Sequence, residues 1–528
     1  MSARLKANLV DAAIFAVTLA IVAWSTHRVV FQAGNDASRW AHIESLVDFG
    51  RSNIAESRYR ATVDQVEIDG RHYSNKPPLM ALIGTVPYAA IKKLTGPDGW
   101  SFSRHEPEVV WLLTLLMVGT PTAILVVAFR RTVQRHWQIP LSTCLWATAA
   151  MAGGTLVASF SVTLNNHTVA AVLLFLGFVA VLGGWDRAGG FCTGFALAID
   201  LVPGFVFAPL WSALLFRRSG WRSAVWFAAI VLGWMGTVGL ADWYTTGSVL
   251  PPKLHPRAID RSAAMGPSML GVLLPQDPLY PLFCLVGYRG LFSVSPVLLF
   301  GVAGMIRCWR RRGPIDRWST GITVLGCGVI IVGHALFAGK YGGWSYGFRY
   351  LIPIMPLVMF FAPAMLTEAD RLLRRLFVPV ALVSMVFAVL GAYHPWPPVV
   401  DQVSAWSRNP PAPDLPSNPV GANAAAWLLK VGPSSRVAES FGRKFIHRDS
   451  DARDRYLADF YHSKRDLAGL EILMREQARA GRLAAAARTA GRATRLAADR
   501  GDLDSAYRIT VWMIQMLQST KSEDAKDE

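Results

Sequence analysis

Cysteine is scarce. The 528 residues hold five, Cys144, Cys192, Cys284, Cys308 and Cys327, in or beside apolar runs and without metal-ligand spacing. That excludes a disulfide framework, and the five read as small apolar packing residues. Charge is sparse too, at 17% of residues, but lopsided, with a formal net charge of +17. A nucleic-acid-binding domain would place basic residues among aromatics on a soluble face, and no segment here does so. The excess arginine sits in short clusters between apolar runs, where it sets membrane topology.

Hydrophobic residues are abundant, at 52% of the chain with mean hydropathy +0.31. Several runs reach the roughly 20 residues that cross a bilayer. The reading is an all-α polytopic membrane protein. Four cationic connections, 130–135, 217–222, 307–317 and 371–375, are assigned to the cytoplasm by the positive-inside rule. Candidate spans then fall near 9–31, 108–129, 139–160, 168–184, 223–241, 290–306, 318–338, 350–366 and 377–393. Tryptophans near their ends (Trp137, Trp185, Trp221, Trp243, Trp318, Trp344) fit an interfacial belt. The first run reads as a signal anchor, with a cleaved signal peptide as the alternative.

Two segments resist single-span assignment. The run 190–216 has a cytoplasmic assignment at both ends, so it reads as a hairpin of two short helices turning at Asp200–Gly204, bringing the total to about 11 transmembrane helices. The run 79–91 is short and contains Pro87, which suggests a re-entrant or interfacial helix. Segments 32–78, 242–289 and 394–528 fall on the outer face, with short outer loops at 161–167 and 339–349. The N-terminus is then cytoplasmic and the C-terminal region outside, in an inner (cytoplasmic) membrane. Residues 396–462 read as a Pro-rich linker and irregular segment, and 463–528 as a helical module. Its helix-period segments lie near 466–480, 482–499 and 502–518, punctuated by Gly481 and Gly501, with a frayed tail.

Candidate chemistry gathers in the outer loops. Trp40, Ile43, Leu46 and Val47 recur at helical spacing, so the first loop opens with an amphipathic interfacial helix that Asn35 and Asp36 precede. Asp36 is either an N-cap or a carboxylate able to take a proton from a hydroxyl. Lys76, before Pro77 and Pro78, is either a snorkelling lysine at a helix start or a mobile cation for a headgroup. Arg289 and Arg349 stand at the outer ends of spans, as interface anchors or phosphate ligands. His255 is held as a metal or acceptor-site candidate. Asp200, at the hairpin turn, is an intramembrane acid, which points to a function or a buried partner, with a cap on the second short helix as the alternative.

An aspartate just after the first span, an amphipathic helix, and a tyrosine-bearing approach to a Lys-Pro-Pro tripeptide about 40 residues later resemble membrane glycosyltransferases of the GT-C class. The branch is the one similar to protein O-mannosyltransferases and the lipid A aminoarabinose transferase. GYRGLFSVSP at 287–296 and YGGWSYGFRYLIPIMPL at 341–357 resemble segments of its bacterial members. The resemblance covers roughly residues 1–395, implying a transmembrane catalytic domain there with its first outer loop at 32–78. It implies sugar transfer at the outer leaflet, from a polyprenyl-phosphate donor to a protein, lipid or glycan. Asp36 matches the catalytic aspartate and Lys76 the donor-phosphate lysine, with Arg289 and Arg349 as further phosphate ligands. Arg39, Tyr73, Asn75, Asn166, His167 and His255 complete the substrate-binding candidates.

The chain departs from the family in two places. Asn75 stands where an acidic residue can precede the Lys-Pro pair, and the outer turn before the fourth span reads Asn165, Asn166, His167 without an acid. Both changes weaken a carboxylate metal site, so no cofactor is assigned and a divalent ion is left open. The Asn and His either bind sugar hydroxyls or cap the next helix. Two other classes compete: a transporter or flippase of a lipid-linked glycan, and a scaffold recruiting partners through the C-terminal helices. Transporters pair broken helices in matching halves, and the sequence shows one broken hairpin without an obvious counterpart.

Overall fold

The computed structural model describes residues 3–30, 36–96, 99–259, 268–269, 272–273, 278–311, 313, 315–338, 343, 345–367, 371–396, 418–431, 436–446 and 449–524. The expectations for Asn35, Trp344, the Pro-rich stretch at 397–417 and the last four residues lie outside this set. The chain divides into two compact units, Met1–Trp396 and Pro397–Glu528.

The first unit is a helical bundle. Among the described residues five helices are long and apolar enough to span a bilayer: α1 (Ala3–Ser25), the continuous α4–α5 (Phe102–Thr114 and Thr120–Trp137), α11 (Trp221–Thr246), α15 (Arg317–Phe337) and α18 (Arg371–Tyr393). A sixth counts if α12–α13 (Tyr280–Val286, Leu291–Val294) and α14 (Leu298–Arg310), bent by 101°, form one span. The chain is a multi-pass helical membrane protein. A π turn at Leu115–Gly119 joins α4 to α5, and α4 is kinked at His105, two residues before Pro107. Shorter helices fill the bundle: α6 (Leu141–Gly153), α7 (Leu156–Phe160), α8 (Asn166–Leu182), α16 (Met355–Met359) and α17 (Pro363–Thr367).

The 190–216 run forms a helical hairpin, α9 (Asp186–Ile199) and α10 (Leu201–Ser219). The break falls at Asp200, while Pro203 and Gly204 belong to the first turn of α10. Gly204 serves a close approach: a Cβ there would lie 2.4 Å from Leu197 Cα, so only glycine lets the two arms meet.

Between α1 and α4 lies the segment expected to form the first outer loop. α2 (Ala37–Asp48) keeps the amphipathic pattern, but residues Ala37 to Ser45 are all buried. Its polar face, expected at the bilayer interface, is covered by protein. Trp40 and Ile43 pack in one cluster with Tyr88, Phe102 and Leu113, with Trp40 edge-on to Phe102 at 5.7 Å. Each such side chain stabilises the fold by roughly 1.5–3 kcal/mol. The loop then makes a two-residue hairpin, β1 (Gln65–Ile68) and β2 (Arg71–Ser74), turning at Asp69 and Gly70, both at positive φ. A third strand, β3 (Ala258–Ile259), pairs antiparallel with β1. α3 (Leu79–Thr95) follows Pro78 and is anchored by a Lys92–Asp48 ion pair at 2.5 Å. It packs against α2 and α4.

In the second unit, residues 418–462, read from the sequence as irregular, carry helices Pro419–Val431 and Arg436–Phe445 and most of Ser450–Ser463. Each is only 10 to 14 residues long, too short to stand out from its own periodicity. Three further helices follow at Leu467–Arg479, Leu483–Ala498 and Leu503–Asp524, separated by left-handed residues Arg465, Gly481 and Gly501. Buried Arg453 approaches Asp454 at 3.4 Å and Glu476 at 3.7 Å, so this core contains an ionic group.

Candidate active site

A polar cluster lies where the connection between α1 and α4 meets the start of α8 and the segment around Arg349. Asp36 stands at the head of α2, 1% exposed. Its Oδ1 accepts from the Ala37 amide (3.1 Å), and its Oδ2 accepts from the Thr163 hydroxyl (3.0 Å). The local bond is a cap; the second one ties the carboxylate to a residue 127 positions away. Burial pushes its pKa up from 3.8 to about 7, against the pull of Thr163 and Arg39.

Thr163 also accepts from the Trp396 indole (3.2 Å), and the Arg349 guanidinium lies 4.9 Å from that ring's centroid. One turn into α2, buried Arg39 donates to Asn166 Oδ1 at 2.7 Å. The charges of Asp64, Arg349, Asp200 and Asp36 all act on Arg39, and burial lowers its pKa to about 10.

Lys76 is reached through the hairpin. Pairing of Gln65 with Ser74 sets Asp64 beside Asn75, and the Asn75 amide donates to the Asp64 carbonyl at 3.3 Å. The ammonium of Lys76 then meets Asp64 Oδ1 at 2.7 Å. Ser38 fastens the hairpin to α2 by bonds to the Asp64 carbonyl (2.6 Å) and the Ser74 hydroxyl (2.7 Å). Burial drives the Lys76 pKa down to about 7, Asp64 opposes this, and Lys253, Arg39 and Arg349 add to it. Burial is the largest single influence on Asp64 and works to raise its pKa, but the charge and hydrogen bond of Lys76, with the charges of Arg349 and Lys253, together outweigh it and hold the carboxyl below its ordinary value. Asn75 is 6% exposed, and both atoms of its carboxamide lack a hydrogen-bond partner in the structure.

The structure therefore brings Asp36, Arg39, Asn75, Lys76, Asn166, His167 and Arg349 to one region. Arg289 borders it, donating to the Gly343 carbonyl at 3.1 Å, and a Cβ on Gly343 would be 3.9 Å from Arg349. The outer turn divides its labour. Asn165 caps α8 by accepting from the Thr168 amide, while Asn166 holds Arg39. His167 Nδ1 pairs with Asp200 Oδ2 at 2.5 Å, and its ring stands edge-on to Tyr350, which stacks on His334. Asp200 makes no side-chain cap to α10; its partner is His167.

Two candidates fall elsewhere. Tyr73 is half-buried on β2 opposite Val66, on the other strand face from Ser74. His255 is buried, and its Nδ1 accepts from the Arg257 amide, closing a turn. The residue of the Pro251–Pro256 stretch whose charge reaches the cluster is Lys253, brought near by the β1–β3 pairing.

Asp64, Thr163, Lys253 and Trp396 were missed at the sequence level. The Asp69–Gly70 hairpin signal would have found Asp64. Nothing local marks Thr163 or Trp396, since both act across more than 120 residues. Among the described residues no group of three His, Cys, Asp or Glu side chains could hold a metal ion. The nearby carboxylates are bound to a hydroxyl, a lysine and a histidine, so no step is derived through a metal.

No family model matches the chain, and no curated protein matches it. The solved structures that resemble it include two of one protein. One is ArnT from Cupriavidus metallidurans bound to undecaprenyl phosphate, at 15% identity and TM-score 0.45, over 92% of this chain and 79% of that one. The other is the apo state of the same protein, at 17% identity and TM-score 0.45, over 93% and 80%.

Proposed function

We propose that the chain is an integral membrane glycosyltransferase that moves a sugar from a polyprenyl-phosphate donor to a hydroxyl acceptor at the outer face of the cytoplasmic membrane. The observation that carries this reading is the convergence of a buried carboxylate with Arg39, Lys76 and Arg349, drawn from distant parts of the chain. A carboxyl near 7 is suited to general-base work at neutral pH. Asp36 takes the acceptor hydroxyl proton while the oxygen attacks the anomeric carbon from the side opposite the phosphate, inverting it. The bond from that carbon to the phosphate oxygen breaks, and polyprenyl phosphate leaves with the negative charge. Lys76 and Arg349, with Arg289 alongside, stabilise that charge as it develops. Asn75, with its unpaired carboxamide, and the Asn166–His167 turn offer hydrogen bonds to the sugar.

On this reading residues 1–395 are catalytic and the 463–528 helices an appended module. The test is purified protein in liposomes containing a polyprenyl-phosphate sugar and an acceptor. Wild type forms a glycosidic bond. Asp36→Asn loses transfer while remaining in the membrane, and Lys76→Ala weakens donor binding about tenfold or more, with little effect on the acceptor. Leaflet movement without bond formation would replace the proposal by a flippase.

A further inference from the structure

The end of α8 remote from the polar cluster borders a cleft of about 780 Å³, formed with α1 and α5. α8 starts at Asn166, beside Arg39, and ends at Leu182 on the cleft wall. At about 1.5 Å rise per residue, roughly 24 Å separates the two sites. The cleft changes character along its length. Phe15, Ile124, Val127 and Val179 line an apolar part, and Ile124 is 44% exposed on the surface that an apolar helix turns to the bilayer. Arg131 and Arg135, one turn apart near the C-terminus of α5, line the other part.

The charge balance there is positive. The wall carries one acid, Asp11, which is engaged with both Arg130 (2.6 Å) and Arg131 (2.5 Å). Arg218 donates to the Leu182 carbonyl at the rim (3.4 Å), and its charge acts on the wall residue His136. Arg131 and Arg135 on the wall and Arg218 at the rim thus outnumber the one wall carboxylate, which Arg131 shares with Arg130, beside an apolar channel within the size range of small-molecule sites.

We propose that this cleft binds an anionic phospholipid, its phosphate at Arg131 and Arg135 and one acyl chain along Phe15, Ile124 and Val127. Basic pockets between transmembrane helices suit such headgroups. A free phosphate would use only the arginines and leave the adjoining apolar wall uncovered, which is why the lipid is the favoured occupant. The site is remote from Asp36, and its test reads binding rather than transfer.

Delipidated full-length protein in detergent is titrated with dioleoylphosphatidylglycerol, dioleoylphosphatidylcholine or inorganic phosphate, and bound lipid and melting temperature are followed. Wild type should prefer the anionic lipid by about tenfold. Arg135→Gln should remove most of that preference. Ala128→Phe, which fills the apolar wall, should block the lipid. Each variant's own melting transition without lipid establishes that it is folded. Equal retention of the two lipids, full stabilisation by phosphate alone, or a folded variant that keeps the wild-type preference would overturn the proposal.

Discussion

Replacing Asp36 by Asn should stabilise the protein at high pH while removing its chemistry. The carboxyl is 1% exposed, and its pKa is raised from 3.8 to about 7, chiefly by burial. Holding it charged at pH 8 therefore costs about 4 kcal/mol relative to the unfolded chain. Between 3.8 and 7 the folded chain keeps a proton that the unfolded chain has released. The Asp36 contribution to wild-type stability falls as pH rises through that window and is level above it. Asparagine has nearly the same shape and carries no such penalty; its single carboxamide oxygen keeps one of the two accepted bonds, a loss that does not vary with pH. The difference between variant and wild type should be small near pH 4, grow towards pH 7, and hold steady beyond. Lys76 titrates with the opposite sign between about 7 and 10.5 in both proteins, so it cancels in the comparison. Melting temperatures in detergent at half-unit pH steps measure the difference. A gap that does not change between pH 4.5 and pH 7.5 would refute the claim that Asp36 pays a desolvation cost, and with it the argument that this group is poised as a base.

The same site makes further demands. Asp64→Asn removes the charge that opposes burial at Lys76, so the Lys76 pKa should fall below about 7 and donor binding should weaken at lower pH than in wild type; donor affinity against pH measures this, and an unchanged profile counts against the pair. Arg349→Lys keeps charge but loses the planar stack on Trp396, so donor affinity should fall severalfold while the melting temperature changes little. Gly204→Leu forces side-chain atoms into the Leu197 backbone and should cost at least 1–3 kcal/mol, read as loss of folded protein from the membrane fraction.

How far the sequence could reach follows from the range of the interactions involved. The spans at 108–129, 223–241, 318–338 and 377–393 were legible because about 20 apolar residues between cationic connections leave a chain few alternatives. The hairpin at 190–216 was legible from the same charges, and only its turn moved, to Asp200, because Pro203 is tolerated in a first helical turn. The short helices between 418 and 462 were not, since each is stabilised by packing rather than by its own periodicity. In the site, Asp36 and Lys76 were singled out by the family resemblance, while spacing alone left each of them, and Arg349 and the Asn166–His167 pair, with a purely structural alternative.

What escaped was the wiring between them. The missing acid at position 75 looked like a weakened site, yet the hairpin brings Asp64, eleven residues earlier than Asn75 in sequence, to the Lys76 ammonium. A lysine next to an adjacent carboxylate on its own strand would be a local pair. A lysine held across a two-residue turn instead depends on strand register, and a shift of one residue would turn it to the opposite face. The Asp69–Gly70 turn and the Ser38–Ser74 contact fix that register, which makes them positioning elements for Lys76 although neither can touch a donor phosphate through it. Lengthening the turn by one glycine after Gly70 should consequently lower donor affinity to the level of Lys76→Ala with the bundle still folded. Retention of wild-type affinity in that insertion variant would show that Lys76 finds its place without the hairpin.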